Sequence, residues 1–330
     1  MTAVLTEPAA VRVAGTRHLL SSEDLDRPTV ERLLELAASF EAVAEREVKK
    51  LPTLRGRTVL SVFFEASTRT SSSFELAAKR LSADTISLKS SGSSVEKGET
   101  LKDTLLTLDA YGPDVVVIRH AQVGAAALAT RYTRAAVVNA GDGAHQHPTQ
   151  SLLDLYTMRA SLGRVEGVHV AIVGDVLHSR VARSNIALLL ACGAHVTLVG
   201  PPSLIPRGIE ATGVSVSHEI GDIAAADVVY VLRMQRERMG DGGQVPSLRE
   251  YAARYEVTHD RLRPGQRVMH AGPINRGVEL SGALADDPAT LIERQAANGL
   301  VVRMAILYDL LAEPAAAASE AQELAALAAA

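Results

Sequence analysis

Residues 58–81 read TVLSVFFEASTRTSSSFELAAKRL, and this stretch decides the fold class. Its opening part is apolar and rich in β-branched side chains, which predicts a buried strand over 58–64. Beyond Thr70, the apolar residues recur at the spacing of one helix face, namely Phe74, Ala77, Ala78 and Leu81. A buried strand that leads directly into an amphipathic helix is the repeating unit of a parallel α/β sheet.

The turn between this strand and this helix is crowded with donors, namely Ser67, Thr68, Arg69 and Thr70. The first turn of a helix has unpaired backbone N–H groups and the positive end of the helix dipole, and both favour an anion. Arg69 adds a planar charged fork that matches phosphate oxygens. Two interpretations stay open on these residues alone: a phosphate site, or an ordinary Ser/Thr cap beside a surface arginine.

The composition is that of a soluble globular protein, with 330 residues, 47% apolar and 22% charged. This length allows two domains. The net charge of −4, with no Lys/Arg block, argues against nucleic-acid binding. We expect no membrane contact and a cytoplasmic location, because neither a long apolar run nor a signal-peptide pattern is present. The single cysteine, Cys192, lies in an apolar run and is predicted to be a buried structural thiol.

Strands and helices alternate along the chain, which predicts an α/β fold with two halves, hinged near 148–163, that each form a parallel sheet flanked by helices. The predicted strands are 58–64, 115–118, 136–139, 168–173, 195–199, 228–232 and 267–270. The predicted helices are one that follows Asp26 and those near 71–81, 100–110, 148–162 and 180–191. The Ala-rich tail 314–330 is expected to be a short helix or a frayed end.

Polar residues gather directly after several predicted strands. Ligands of open parallel sheets bind at the carboxyl ends of the strands, so these segments are expected to converge on one cleft. The segments are Ser67–Thr70, Arg119–His120, Asp142–Gln150, Asp175–Arg180, Arg233–Gln235 and His270–Pro273.

Two common cofactor patterns are not matched, and no cofactor or metal is expected. The segment 174–179 follows a strand but lacks the glycines with which a backbone approaches a pyrophosphate. His145 and His147 have only Asp142 as a nearby carboxylate, which leaves too few ligands for a closed metal site. His147 therefore remains either a loop-capping histidine or a donor to a ligand carbonyl.

Five motifs in order give the chain a resemblance to a known family. They are Ser67-Thr68-Arg69-Thr70, Lys97-Gly98-Glu99-Thr100, Arg119-His120, His147-Pro148-Thr149-Gln150 and Arg233-Met234-Gln235-Arg236-Glu237-Arg238. From near residue 17 to near residue 311, the sequence resembles the aspartate/ornithine carbamoyltransferase family, in particular its aspartate-using catalytic chains. The resemblance implies transfer of the carbamoyl group of carbamoyl phosphate to L-aspartate, the committed step of de novo pyrimidine (UMP) biosynthesis.

The resemblance also implies how carbamoyl phosphate is held. Its phosphate would bind the residues of the first motif, Ser67, Thr68, Arg69 and Thr70. Its carbonyl oxygen would be polarised by Thr70, Arg119 and His147. Its amine would be held by Gln150 and by the backbone carbonyls of Ala271 and Gly272. In the last segment this chain departs from the family, because it has His270-Ala271-Gly272-Pro273 where His-Pro-Gly-Pro or His-Pro-Leu-Pro is usual.

For aspartate, the resemblance implies that Arg180, Arg233 and Gln235 hold the two carboxylates. Ser93 and Lys97 would be supplied by the neighbouring subunit of a homotrimer with shared active sites. Ser93 would bind carbamoyl phosphate, and Lys97 would bind aspartate and act in catalysis. Glu65 would brace domain closure against Arg180 or Arg238. Attachment of regulatory chains or of a dihydroorotase is left open.

The implied domains are a carbamoyl phosphate-binding domain over 1–147 and an aspartate-binding domain over 148–292. A C-terminal helix over about 293–330 would join the first domain. Two rivals remain: a sister enzyme that uses ornithine, and a non-catalytic anion-binding chain on the same fold. The pair Arg233 and Gln235 favours a dicarboxylate substrate over ornithine.

Overall fold

The computed structural model describes residues 18–44, 46–89, 94–239 and 247–311. Two parallel sheets are built from nine strands in these ranges, which confirms the predicted fold class. The strands are β1 Thr58–Phe63, β2 Asp84–Lys89, β3 Val115–His120, β4 Ala136–Asp142, β5 His169–Val173, β6 His195–Val199, β7 Ser215–Ser217, β8 Val228–Val231 and β9 Arg267–Met269.

Helices connect and cover these strands. They are α1 Arg27–Ala44, α2 Thr68–Arg80, α3 Leu101–Asp109, α4 Ala125–Ala129, α5 Pro148–Leu162, α6 Arg180–Ala191, α7 Leu248–Tyr255, α8 Gly282–Ala285 and α9 Ile292–Leu311. Short 3₁₀ turns fill several of the loops. Within the described ranges, no helix is long and apolar enough to cross a membrane.

The first sheet has the strand order β2-β1-β3-β4, and the second has the order β7-β6-β5-β8-β9. Every pairing is parallel; Val59, for example, lies opposite Val115. Alternate side chains of β3 pack on opposite faces, with Val115 and Val117 in one core and Val116 and Ile118 in another. The central strands of the two sheets are therefore covered on both faces, as parallel sheets require.

The last described helix, α9, returns to the first sheet's half of the molecule. It packs against α1, α2 and α5, and Tyr308 meets Phe40 of α1 edge to face at 5.9 Å between ring centroids. The predicted C-terminal helix over 293–330 thus begins at Ile292 and is described to Leu311. The rest of that prediction, with the tail from 314, lies outside the described residues. The domain limits at 147/148 and 292/293 stay predictions.

Most predicted elements are present, with small shifts of their first and last residues. The helix expected near 71–81 begins three residues earlier. It begins at Thr68, because the Ser71 and Ser73 hydroxyls donate at 2.6 Å to the carbonyls of Ser67 and Arg69 and so lie inside the first turns. Cys192 is buried without a disulfide, as predicted, and burial raises the pKa of its thiol.

Candidate active site

The carboxyl ends of both sheets open onto one cavity of about 690 Å³. It is lined by every predicted site residue except Ser93 and Lys97, namely Glu65, Ser67, Thr68, Arg69, Thr70, Arg119, His147, Gln150, Arg180, Arg233, Gln235, Arg238, Ala271 and Gly272. The convergence expected from the strand ends is therefore observed.

The start of α2 forms one wall of this cavity. Ser67 occupies the cap position with extended backbone, φ −158° and ψ 101°, and its side chain makes no capping hydrogen bond. The backbone donors of the first turn are therefore not used by the cap side chain, and they point with the helix dipole at the cavity. Thr70 is buried in the same turn. This arrangement suits an anion.

Arg69 extends this wall toward the second domain. Its guanidinium lies against the backbone of Gly272, because a Cβ on that glycine would stand 2.8 Å from Arg69 Cζ. Gly272 also has a φ of +64°, in the left-handed region that glycine accepts without strain. Burial, and then the charge of Arg233, lower the pKa of Arg69. Two guanidinium groups from different domains therefore line the same cavity and repel each other, and an anion bound there would relieve the repulsion.

Glu65 contacts three arginines, two of which, Arg180 and Arg238, come from the second domain. Arg180 Nη1 and Nη2 donate to its two oxygens at 2.8 and 3.0 Å, and Arg238 Nη2 donates at 3.2 Å. Arg119 Nη2 lies 3.5 Å away. Burial alone would raise the pKa of the Glu65 carboxyl, but these arginines hold it below its usual value. The carboxylate is charged, and it accepts hydrogen bonds from both arginines that the resemblance names, Arg180 and Arg238.

Arg119 lies at the end of β3 and is largely buried. Its Nη1 donates to the carbonyl of Ala140 at 3.2 Å, while its buried Nε has no partner among the described residues. Burial, and then the neighbouring Arg180, lower the pKa of Arg119 to about 9. Such crowding of like charge around one cleft is typical of a site for anionic ligands.

His147 caps the start of α5 inside the same cavity. Its backbone N–H donates to Ser184 Oγ at 2.8 Å, and its Nδ1 lies 3.3 Å from Thr149 Oγ1. Burial, and then the charges of Arg119, Arg180 and Arg303, lower its pKa well below the usual value. The imidazole is therefore neutral near pH 7 and can donate a hydrogen bond without adding charge.

The second domain presents Arg233 and Gln235 after β8. Arg233 Nη2 donates to Gln235 Oε1 at 3.0 Å and pairs with Glu237. Arg180 uses three of its five N–H groups, two on Glu65 and one on the carbonyl of Gly143. The two others make no hydrogen bond to the residues that the structure describes.

Three charged residues that line the cavity were not predicted, namely Arg276, Glu293 and Arg303. Arg303 is buried in α9, and its guanidinium lies over the Phe74 ring at 5.2 Å. Burial lowers its pKa to about 10. The sequence pattern that could have identified Arg303 is a single charge inside the apolar run VVRMA of residues 301–305, since a buried charge in a core helix is rare.

The two residues that the resemblance assigns to a neighbouring subunit, Ser93 and Lys97, differ from the rest. Ser93 lies outside the described residues. Lys97 is exposed at the end of the 3₁₀ turn Ser94–Lys97 and does not line the cavity of its own chain.

Comparison with known proteins decides the family. The model of the carbamoyl-P binding domain of aspartate/ornithine carbamoyltransferases matches residues 17–160, and that of the Asp/Orn binding domain matches residues 166–310. The chain belongs to the aspartate/ornithine carbamoyltransferase family.

Within this carbamoyltransferase family, the chain is similar to catalytic subunits of aspartate carbamoyltransferase. That of Salinispora arenicola is 57% identical over 302 residues, which are 89% of this chain and 98% of the relative. That of Acidothermus cellulolyticus is 54% identical over 316 residues, or 94% and 98%.

Solved structures agree with this similarity. Trypanosoma cruzi aspartate transcarbamoylase in complex with carbamoyl phosphate and aspartate superimposes with a TM-score of 0.82 at 34% identity, covering 90% of this chain and 97% of that one. The same enzyme in complex with N-(phosphonacetyl)-L-aspartic acid gives the same TM-score and identity, with 90% and 96% covered.

Proposed function

We propose that this carbamoyltransferase moves the carbamoyl group of carbamoyl phosphate to the amine of L-aspartate, which gives N-carbamoyl-L-aspartate and phosphate. This reaction is the committed step of de novo pyrimidine (UMP) biosynthesis. The observation that carries the proposal is that the Arg69 and Arg233 guanidiniums, one from each domain, line one cavity, where the charge of Arg233 lowers the pKa of Arg69. Two anionic substrates need such a paired arrangement of cations.

At the phosphate end, Ser67, Thr68, Arg69 and Thr70 hold the leaving group at the start of α2. The helix N–H groups and the Arg69 fork bind phosphate oxygens and stabilise the negative charge that grows on them as the C–O bond breaks. The phosphate is a good base and accepts the proton that the attacking amine loses. The enzyme therefore needs no side-chain nucleophile.

At the carbonyl, Thr70, Arg119 and neutral His147 act as donors to the oxygen that becomes negative when the amine attacks. Removing one preorganised donor of this kind costs about 3 kcal/mol of transition-state stabilisation. Because His147 is neutral, it adds a donor without more repulsion among the arginines. Gln150, Ala271 and Gly272 accept hydrogen bonds from the carbamoyl amine.

At the aspartate end, Arg180, Arg233 and Gln235 bind the two carboxylates and aim the amine at the carbonyl carbon. Holding both substrates in this geometry supplies about 7–11 kcal/mol of the barrier reduction. Glu65 closes the domains around them through Arg180 and Arg238.

The test is a product assay with carbamoyl phosphate and either L-aspartate or L-ornithine. We expect N-carbamoyl-L-aspartate only, and Arg69→Ala should lower kcat at least a hundredfold with little change in unfolding. The matched control is the exposed Arg55→Ala. Turnover of ornithine alone, or binding of carbamoyl phosphate with no product, would reject the proposal in favour of one of its two rivals.

The active assembly is proposed to be a cytoplasmic homotrimer whose sites take Ser93 and Lys97 from the next subunit. The support is that Lys97 is exposed and away from its own cavity. Mixing inactive Lys97→Ala and Arg69→Ala chains should restore part of the activity, because some mixed sites receive two intact halves. Subunit exchange without recovery of activity would contradict shared sites. Regulatory chains or a dihydroorotase would appear as added mass in native extracts.

A further inference from the structure

Asp154 is a fully buried carboxylate of α5 that has no role in the reaction as described so far. Four side chains donate hydrogen bonds to it. Its Oδ1 accepts from Gln150 Nε2 at 2.9 Å and from Gln295 Nε2 at 2.8 Å. Its Oδ2 accepts from Asn185 Nδ2 at 2.9 Å and from Tyr230 Oη at 2.7 Å.

These four donors occupy all the lone-pair positions of the carboxylate. Burial raises the pKa of Asp154, while the four hydrogen bonds favour its ionised form. A protonated carboxyl would place another hydrogen among four donors. An ionised carboxylate only accepts hydrogen bonds, so each amide around it must turn its nitrogen inward.

Because the amide nitrogen of Gln150 points toward Asp154, its amide oxygen is the atom left to face the cavity. With Nε2 held by Asp154, its Oε1 is the atom left for a ligand, and it has no hydrogen-bond partner among the described residues. Gln150 lines the cavity next to His147. Its Oε1 is therefore the acceptor that the side chain offers to a ligand, while Asp154 holds one of the two Nε2 hydrogens.

Asp154 orients the side-chain amide of Gln295 in the same way, and Gln295 in turn contacts the opposite wall of the cavity. With Nε2 on Asp154, Gln295 Oε1 accepts from the backbone N–H of His270 at 2.8 Å. His270 begins the segment 270–273, which lines the cavity. One carboxylate thus orients Gln150 directly and the His270 segment through one intermediate.

We propose that Asp154 is a positioning residue that makes this site select an acyl phosphate bearing N–H groups over one bearing a methyl group. It does so by holding the Gln150 oxygen and the carbonyls of Ala271 and Gly272 toward the carbamoyl amine. The proposal rests on the proposed function, which places that amine between them. A site built from such acceptors rejects an analogue that lacks the donors, because its acceptors stay unpaired.

The test compares binding of carbamoyl phosphate with binding of acetyl phosphate by titration calorimetry without aspartate. In the unmodified protein, carbamoyl phosphate should bind more tightly. In Asp154→Ala, that preference should fall about tenfold, with acetyl phosphate affinity changed less than about threefold. Equal weakening of both ligands would overturn the proposal.

Tyr230→Phe is the matched control, because it removes a donor from the other oxygen, Oδ2, and leaves in place the hydrogen bonds of Gln150 and Gln295 to Oδ1. It should keep the preference within about twofold. A loss as large as that of Asp154→Ala would show a merely structural role and overturn the proposal.

Should Asp154→Ala not fold, Gln295→Met carries the test, since it breaks the path to His270 and should lower the preference about threefold. An unchanged preference would then overturn the proposal. The readout needs no turnover, so a protein that selects carbamoyl phosphate but forms no carbamoyl aspartate would reject the proposed function alone.

Discussion

The Arg69 guanidinium lies against the backbone of Gly272, so residue 272 has no room for a side chain. A Cβ there would stand within 3 Å of the guanidinium carbon and of both terminal nitrogens. The segment that departs from the family sequence, with Ala271 in place of proline, keeps this glycine. The conformation of the loop at residue 272 therefore affects the site by setting the position of the Arg69 guanidinium.

Gly272→Ala is expected to raise the KM for carbamoyl phosphate at least tenfold, because the new methyl group pushes Arg69 off the phosphate. The matched control is Gly277→Ala, which has a similar φ of +77° but nothing within 4 Å of the added Cβ. Both changes should cost similar backbone strain, so steady-state kinetics separate the displacement of Arg69 from the strain. Equal KM values would contradict this reading of the contact.

His147 should make stability depend on pH. Its pKa is well below the usual value of about 6.5 in the folded protein, so below that pH the unfolded chain binds a proton that the folded one does not. The free energy of unfolding should therefore fall as the pH drops below about 6.5, by up to about 1.4 kcal/mol per pH unit.

His147→Gln should remove this contribution, measured by urea unfolding between about pH 5.5 and about pH 7. His270 and Asp154 titrate in both proteins, so the difference between the two pH slopes isolates His147. The exposed His195→Gln is the matched substitution away from the cavity. Identical slopes before and after His147→Gln would contradict the prediction.

At the scale of elements, helix starts place the charged groups of the site. Ser179 caps α6, accepting a hydrogen bond from the N–H of Ala182 at 3.1 Å, and Arg180 is the first residue of that helix. The cap therefore sets where the Arg180 guanidinium lies.

Ser179→Ala should lower the free energy of unfolding by about 1 kcal/mol and raise the KM for aspartate several-fold. Ser247→Ala removes the corresponding cap of α7, which accepts from the N–H of Glu250 at 3.0 Å. It should cost similar stability without moving that KM. The contrast, measured by denaturant titration and kinetics, fails if both variants change the KM alike.

The sequence was enough to predict the central strands, because they are buried on both faces and read as continuous apolar runs. It missed β2 and β7, which are edge strands; β2 is mostly exposed, and β7 has only three residues. Neither has the pattern of a buried strand.

The site residues likewise divide into those that the sequence could predict and those that it could not. Residues at strand ends were predicted because topology alone brings them together. Asp154 was not, since Asn185, Tyr230 and Gln295 lie 31, 76 and 141 positions away along the chain. Its role exists only once four separate elements have packed.

At the scale of the whole molecule, one carboxylate holds the two domains together at the cavity. Glu65 comes from the β1–α2 turn, whereas Arg180 and Arg238 come from the second domain. At this point between the domains, one negative charge lies opposite several positive ones.

Glu65→Gln should open the molecule and lower kcat at least tenfold, because the arginines lose their shared counter-charge and repel one another. Small-angle scattering should show a larger radius of gyration. The control Glu75→Gln removes an exposed partner of Lys79 and should change neither quantity. An unchanged radius with reduced kcat would assign Glu65 a local role instead.

The return of α9 to the first domain also constrains how the protein is made. A ribosome delivers residues from the N-terminus onward, so α1, α2 and the first sheet emerge long before Ile292–Leu311. Until that helix arrives, Phe40 and Phe74 have no partner from it and their apolar faces stay uncovered. We therefore expect the phosphate-binding half, although it is translated first, to complete its folding only after α9 has been synthesised.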